Sequence, residues 1–386
     1  MKALPAYLLQ NRNMLLSRRN CLLVLGLSFL LVQVLLHYKF GVKIMYDSTR
    51  YIWFAKELEA GVWPGGYVNW YAAYCVVIFL AHVSGTGYAA VVLLQVIVAF
   101  AALYCLFQAV FELSGSLARA FVIAFLFGTS YQVQLWNTYI LTESLFISCI
   151  LIFAYLLYKS NAKKLLLLAV LPLLVFTVLL RPNGFLLAGS LVLYFIVYAW
   201  HTNKYVAKLL IGATGVAAVG LLFFLNSNIA AFVEFFKLSY LNGEIICGYN
   251  GLTISPDNNL TYEDDNYTLS VVYELISADV LYFFRLALAK FFFLFSDVRP
   301  YYTLSHNLYI VGFLAVVYTL MFRNVWGFIQ KQPALFVFLG SFILLNAGLI
   351  MITYTDWDGR FLAPLIGPML LIAGGVDKGK LKPAGN

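Results

Sequence analysis

Two carboxylates and a few cations are the groups in this 386-residue sequence with types and settings suited to chemistry. The first acid is Asp47, in "YDSTRYIWFAKELEAG", three residues before Arg50 and just after the first long apolar run. A carboxylate held where a chain leaves a membrane can take a proton from an acceptor hydroxyl. Asp47 or Ser48 can also act as the N-cap of the helix that follows. Tyr51, Phe54, Ala55 and Leu58 keep helical spacing, and Gly61 supplies a stop before Pro64. The second acid is Glu143, in "NTYILTESLF", close to Trp136 and Asn137. It opens another apolar run, where negative charge also favours a helix N-terminus.

The cations fall in three later stretches. "LLRPNGFLL" places Arg181 at the end of an apolar run, followed by a Pro-Asn-Gly turn signal. "RLALAKFFFLFSDVRPYYTLSHN", residues 285–307, carries Lys290, Arg299, Tyr301, Tyr302 and His306. Guanidinium and ammonium groups suit a lipid phosphate, and aromatic rings suit the headgroup zone. Ordinary snorkelling and an aromatic belt would give the same composition. "TYTDWDGRFLAPL" holds Asp356, Asp358 and Arg360. Two carboxylates at this spacing supply too few oxygens for a hard cation unless substrate and water add more. A divalent metal therefore has no support, and no metal ligand or cofactor is assigned. His37, His82 and His201 stand at run ends or in loops. No Ser-His-Asp order, HExxH, Walker A, or GxGxxG in a strand–helix setting occurs.

The elements that position these groups are set by composition. The chain is 63% hydrophobic and 11% charged, more apolar than a soluble domain of this size requires. Its apolar runs approach the length of a bilayer crossing, and the short alternating segments of a β-barrel are missing, so an all-α polytopic membrane protein is expected. Runs at 20–40, 88–111, 118–136, 140–158, 165–180, 184–200, 206–225, 306–322, 334–353 and 360–376 are candidate spans. Two further stretches, 67–83 and 280–296, are ambiguous. The first is short, and the second carries Arg285 and Lys290 in its middle.

Charge placement chooses among topologies. Residues 226–280 hold eight acids and one base, a net −7, so within a chain of +8 the remainder carries +15. If neither ambiguous stretch crosses, the basic loops all fall on the cytoplasmic side and the acidic loop falls outside. This gives ten spans, cytoplasmic termini, and Asp47, Glu143, Arg181, Arg299, His306, Asp356, Asp358 and Arg360 on the external face. The positive charge reads as membrane orientation, with no sign of nucleic-acid binding. Arg18 and Arg19 precede a first run without a small-x-small cleavage site, so that run is expected to be retained as a span. Cys21, Cys75, Cys105 and Cys149 lie in apolar runs, and the five cysteines show neither CxxC nor a disulfide framework. The expected organisation is a transmembrane core at 1–225 with its first external loop at 41–83. An acidic loop and interfacial helix follow at 226–305, and terminal helices at 306–386.

In this order the stretches resemble the GT-C integral-membrane glycosyltransferases, more closely the bacterial members related to protein O-mannosyltransferases and aminoarabinose transferases. Asp47 matches the family's acid in the first external loop, and 49–60 and 67–83 match its juxtamembrane helices. Glu143 in "TESLF" matches the second acid, and Arg181-Pro182 an Arg-Pro pair at the outer end of a later span. Gly359, Arg360, Phe361 and Pro364 match a late GR-F-x-x-P. Ser48 stands where many relatives carry Glu, and Glu143 where many carry Asp. The seven spans before the acidic loop agree with the family core.

The resemblance implies a GT-C-like bundle of about 10–12 transmembrane helices with external juxtamembrane helices. It implies a bacterial inner-membrane enzyme with an external site. That enzyme would move a sugar, with inversion, from a polyprenyl-phosphate donor to a glycan, lipid or protein acceptor. Asp47 would be the general base, and Glu143 would position the acceptor or an interfacial Arg. Arg360 and Arg299, with Lys290 and Arg181 behind them, would face the leaving phosphate. Tyr301, His306 and Asp358 would line the substrate site, and 241–270 would cover it. Other readings are an O-antigen polymerase or ligase, a lipid-linked-sugar flippase or transporter, and a structural membrane subunit. The acidic external loop disfavours the first. The second would need a polar path through the spans, and the third leaves acids and Arg gathered on one face unexplained.

Overall fold

The computed structural model describes residues 17–228, 230–256, 260 and 269–375. Among these, helices α1 to α8 are Arg18–Phe40, Tyr46–Glu59, Ala72–Val83, Gly87–Ser114, Leu117–Thr129, Tyr131–Gln134, Glu143–Ser160 and Leu167–Val178. Helices α9 to α16 are Gly184–Thr202, Lys204–Asn228, Ala230–Leu241, Leu269–Ala278, Val280–Ser296, Leu304–Lys331, Pro333–Ile352 and Ala363–Ala373. Strand structure among the described residues is limited to isolated bridges. Six helices, α1, α4, α7, α9, α14 and α15, are long and apolar enough to cross a membrane. The protein is an all-α polytopic membrane protein.

Each expected span overlaps a helix, but not all keep the expected length. The run at 118–136 breaks at Ser130, whose backbone is extended (φ −66°, ψ 120°). A single turn of helix and a 3₁₀ turn, Leu135–Thr138, follow. The break has a polar cause. Gln134 donates from Nε2 to Phe127 O at 2.9 Å, bonding the end of α5 instead of prolonging it. The stretch at 67–83 forms a 3₁₀ turn, Tyr67–Tyr71, and the 12-residue α3. At 1.5 Å per residue α3 is about 18 Å long, short of the roughly 30 Å hydrocarbon layer.

The chain divides into two compact units, with boundaries inside α9, α14 and α15 and just before α16. Among the described residues, unit 1 comprises 17–188, 316–339 and 363–375. Within it α4 packs on α5 and α7, α1 on α5, α2 on α3, and α16 on α7. Every residue of α16 is buried, as expected of a helix apolar all round and lodged in a core. Cys21, Cys75 and Cys149 are buried free thiols, in keeping with packing roles, and Cys105 is half-buried.

Unit 2 comprises 189–315 and 340–362. Its described core gathers Val233, Phe236 and Tyr240 of α11, Leu275 of α12, and Tyr282 and Leu286 of α13. Residues 244 and 253 form an antiparallel bridge, and Ile246 pairs in parallel with Thr355. Asp257, Glu263, Asp264, Asp265, Lys378, Lys380 and Lys382 lie outside the described residues, as does much of the expected cover at 241–270.

Candidate functional site

In unit 1, α2 opens at Tyr46 with Met45 as N-cap. The capping contact goes to Ser48, whose Oγ accepts from Met45 N at 2.9 Å. Asp47 instead occupies the first turn, where the helix dipole favours an acid. Its side chain is 26% exposed, with Arg50 Nη1 at 3.7 Å. Asp47 is thus anchored by a helix start it does not itself cap.

Four residues before Asp47, Lys43 forms a parallel bridge with Tyr139, four residues before Glu143. Lys43 N donates to Thr138 O at 2.8 Å, and Ile140 N donates to Lys43 O at 2.9 Å. The Lys43 ammonium lies over the rings of Phe40 and Tyr139 and reaches the Tyr139 hydroxyl at 3.1 Å. This pairing joins the two acid-bearing segments. Sequence reading missed it, because nothing local in either segment names a partner 96 residues away.

Glu143 is the first residue of α7 and is 1% exposed. Its Oε1 lies 3.2 Å from Arg181 Nη1, and both side chains are almost fully enclosed. The Arg181 guanidinium also lies over Phe146, 5.4 Å from the ring centroid. The turn after Arg181 requires glycine. A Cβ at Gly184 would stand 2.5 Å from Val178 Cα and 2.6 Å from Thr177 O. Near the acid, buried amides and hydroxyls are linked in a network. Gln33 and Asn137 donate to Gln134 Oε1, each at 3.0 Å. Ser144 donates to Asn137 at 2.5 Å. Gln95 donates to Asn137 O at 3.1 Å and Tyr139 O at 2.9 Å, and accepts from Tyr74 at 2.8 Å. These amides were not among the expected site residues. Their signal was the polar spacing Gln132, Gln134, Asn137 inside an apolar run.

In unit 2 the centre is Arg299, 1% exposed. Its Nη2 lies 3.2 Å from Asp297 Oδ1 and 3.7 Å from Asp356 Oδ1. Nε donates to Asp356 O at 3.1 Å, and Nη1 to Phe293 O at 3.0 Å and Val298 O at 3.2 Å. Every guanidinium nitrogen is engaged inside the protein, so Arg299 fastens loops together and is poorly placed to meet an incoming phosphate. Lys290 is equally enclosed, donating to Ser239 Oγ at 3.0 Å and to Thr353 O. Arg360 is half-buried, its guanidinium 5.6 Å from the Phe361 ring centroid. Tyr301 is 38% exposed, and the His306 ring stacks on Tyr302 at 4.2 Å. Asp358 is half-buried beside exposed Trp357. Among the described residues no three His, Cys, Asp or Glu side chains gather as a metal ligand set. Asp356, of the Asp-x-Asp pair, faces Arg299 instead.

Asp297 was not expected as a site residue. It ends α13 in the left-handed conformation (φ 52°) and is buried. Burial pushes its carboxyl up to about 7, with Asp356 and Asp358 acting in the same direction and Arg299 opposing. A carboxyl raised in the folded state favours the protonated form. Its stabilising contribution is whole below the ordinary carboxylate range and is lost as pH rises through about 7. Thermal unfolding in micelles is therefore expected to show the wild type losing stability relative to Asp297→Asn between roughly pH 4 and pH 7. Parallel pH profiles for the two proteins would contradict this. Gly359 approaches the same carboxylate: a Cβ there would lie 2.5 Å from Asp297 Oδ2, at φ +77°. Gly359→Ala is expected to destabilise by about 1–3 kcal/mol, seen as a lowered melting temperature. An unchanged melting temperature would mean that the loop relaxes at no cost.

Compared with known protein families, with curated proteins and with solved structures, the chain matches none.

Proposed function

We propose that the protein is a membrane glycosyltransferase. On this reading it moves a sugar from a polyprenyl-phosphate donor to an acceptor hydroxyl at the external face of a bacterial inner membrane, with both termini cytoplasmic. The observation that carries the reading is the setting of Asp47, a partly exposed carboxylate in the first turn of a helix directly after a membrane-length helix. Its segment is fastened to the one that leads into Glu143. In the proposed step the acceptor oxygen attacks the anomeric carbon and its proton passes to Asp47. The bond from that carbon to the phosphate oxygen breaks, the electron pair leaves with the phosphate, and the sugar carbon inverts. Glu143 acts through Arg181 as a positioning residue, in line with their buried pair.

Of the four cations named from the sequence, Lys290, Arg299 and Arg181 are enclosed and Arg360 is half-buried. The test of the reaction is transfer of labelled sugar from a polyprenyl-phosphate donor pool in membranes holding the protein, against membranes lacking it.

A further inference from the structure

Three loops of unit 2 converge to hold aromatic rings at its surface. Tyr249, Tyr301 and Trp357 form a closed triangle, with ring centroids 5.2 Å apart for Tyr249–Tyr301, 6.1 Å for Tyr249–Trp357 and 5.2 Å for Tyr301–Trp357. Tyr301 and Trp357 are exposed, at 38% and 46%. The loops are tied beneath by backbone. Cys247 N donates to Thr355 O at 2.9 Å and Thr355 N to Ile245 O at 3.0 Å. Arg299, two residues before Tyr301, holds Asp356, the residue before Trp357. The rings are therefore pre-organised, which lowers the ordering cost of binding.

An aromatic belt in the headgroup zone would explain exposed Trp and Tyr, but the polar tips argue otherwise. Belt tyrosines present their hydroxyls to the headgroups. Here the Tyr301 hydroxyl is engaged within the protein, donating to Trp357 O at 2.6 Å, and Tyr302 reaches the same oxygen at 3.3 Å. The exposed Tyr301 and Trp357 rings have the half-buried Asp358 beside them on the Trp357 loop. A neutral sugar ring fits both features. Its C–H face covers an aromatic ring, and its hydroxyls donate to a carboxylate, which only accepts.

We infer that the Tyr249–Tyr301–Trp357 cluster is a binding platform for a neutral carbohydrate ring, with Asp358 as its hydroxyl acceptor. This does not depend on glycosyl transfer: a protein that binds sugar without transferring it would refute the proposed reaction and leave the platform standing. The experiment is saturation-transfer NMR on the full-length protein in lipid nanodiscs free of glycolipid and sugar-headed detergent. Maltotetraose, chitotetraose and mannotetraose are the probes. Saturation is expected to reach the ring C–H protons of at least one of them. Trp357→Ala should weaken that binding about tenfold or more. Trp357→Phe should retain part of it, and replacement of the exposed Trp326 by Phe should leave it unchanged. Circular dichroism and melting temperature check that each variant is folded. Transfer to no probe, or equal transfer in folded Trp357→Ala, would overturn the inference. So would quenching by brominated lipid that is strong in the wild type and missing in Trp357→Phe, because the ring would then sit in the bilayer.

Discussion

Asp47→Asn is expected to lower sugar transfer by about 10²–10⁴-fold while leaving the protein in the membrane at its normal level. Asn keeps the size of the side chain and removes the group that accepts the proton. The fold should tolerate the change, because Ser48 makes the capping contact and Asp47 sits in the following turn. What the helix loses is an acid near its N-terminus, about 0.3–1 kcal/mol. The measurement is labelled product from a polyprenyl-phosphate donor pool, wild type against variant, with expression matched. Product that disappears only in the variant supports both the reaction and the base. Equal product from both keeps the reaction and moves the base away from Asp47. Product from neither removes the donor class proposed here and returns weight to a transport reading.

Glu143→Ala should act on stability, and strongly. The carboxylate and its partner Arg181 are enclosed, at 1% and 5% side-chain exposure, 3.2 Å apart. Removing one member leaves the other buried without its counter-charge, which typically costs about 3–5 kcal/mol. The expected result is a large drop in the detergent-solubilised melting temperature. Replacing both residues by methionine should cost much less than the two single changes together, because neither charge is then stranded. Single variants as stable as wild type would mean that water or another group reaches the pair. Glu143→Gln would then test activity without the stability effect.

The helices were legible because an apolar run declares itself locally. The stops were legible where a residue imposes them, as Gly61 does with φ +75° beyond α2. Position 130 was not, because Val133, Leu135 and Trp136 extended the apolar run past a break made by amides bonding to backbone. Asp47 and Glu143 were found as acids beside apolar runs, but the bridge that joins their segments has no local sign. Arg299 shows the same limit in another form. Its type suggested a phosphate contact, whereas its function in the fold is decided by Asp356, 57 residues away, and by Asp297 two residues before it. Residue type named the charge, and only the tertiary partners told whether that charge was available.

The enclosed position of α16 bears on how the protein is made. This helix is the last described element of the chain, yet all its residues from Ala363 to Ala373 are buried, with α7 among its neighbours. Unit 1 therefore includes helices from α1 onward and is completed only by α16. At about 5–20 residues per second, the roughly 200 residues between α7 and α16 take on the order of 10–40 s to synthesise. Over that interval the earlier helices are already inserted, with their central partner still unmade. A ribosome that stalls before residue 363 releases a chain whose damage lies at its oldest part.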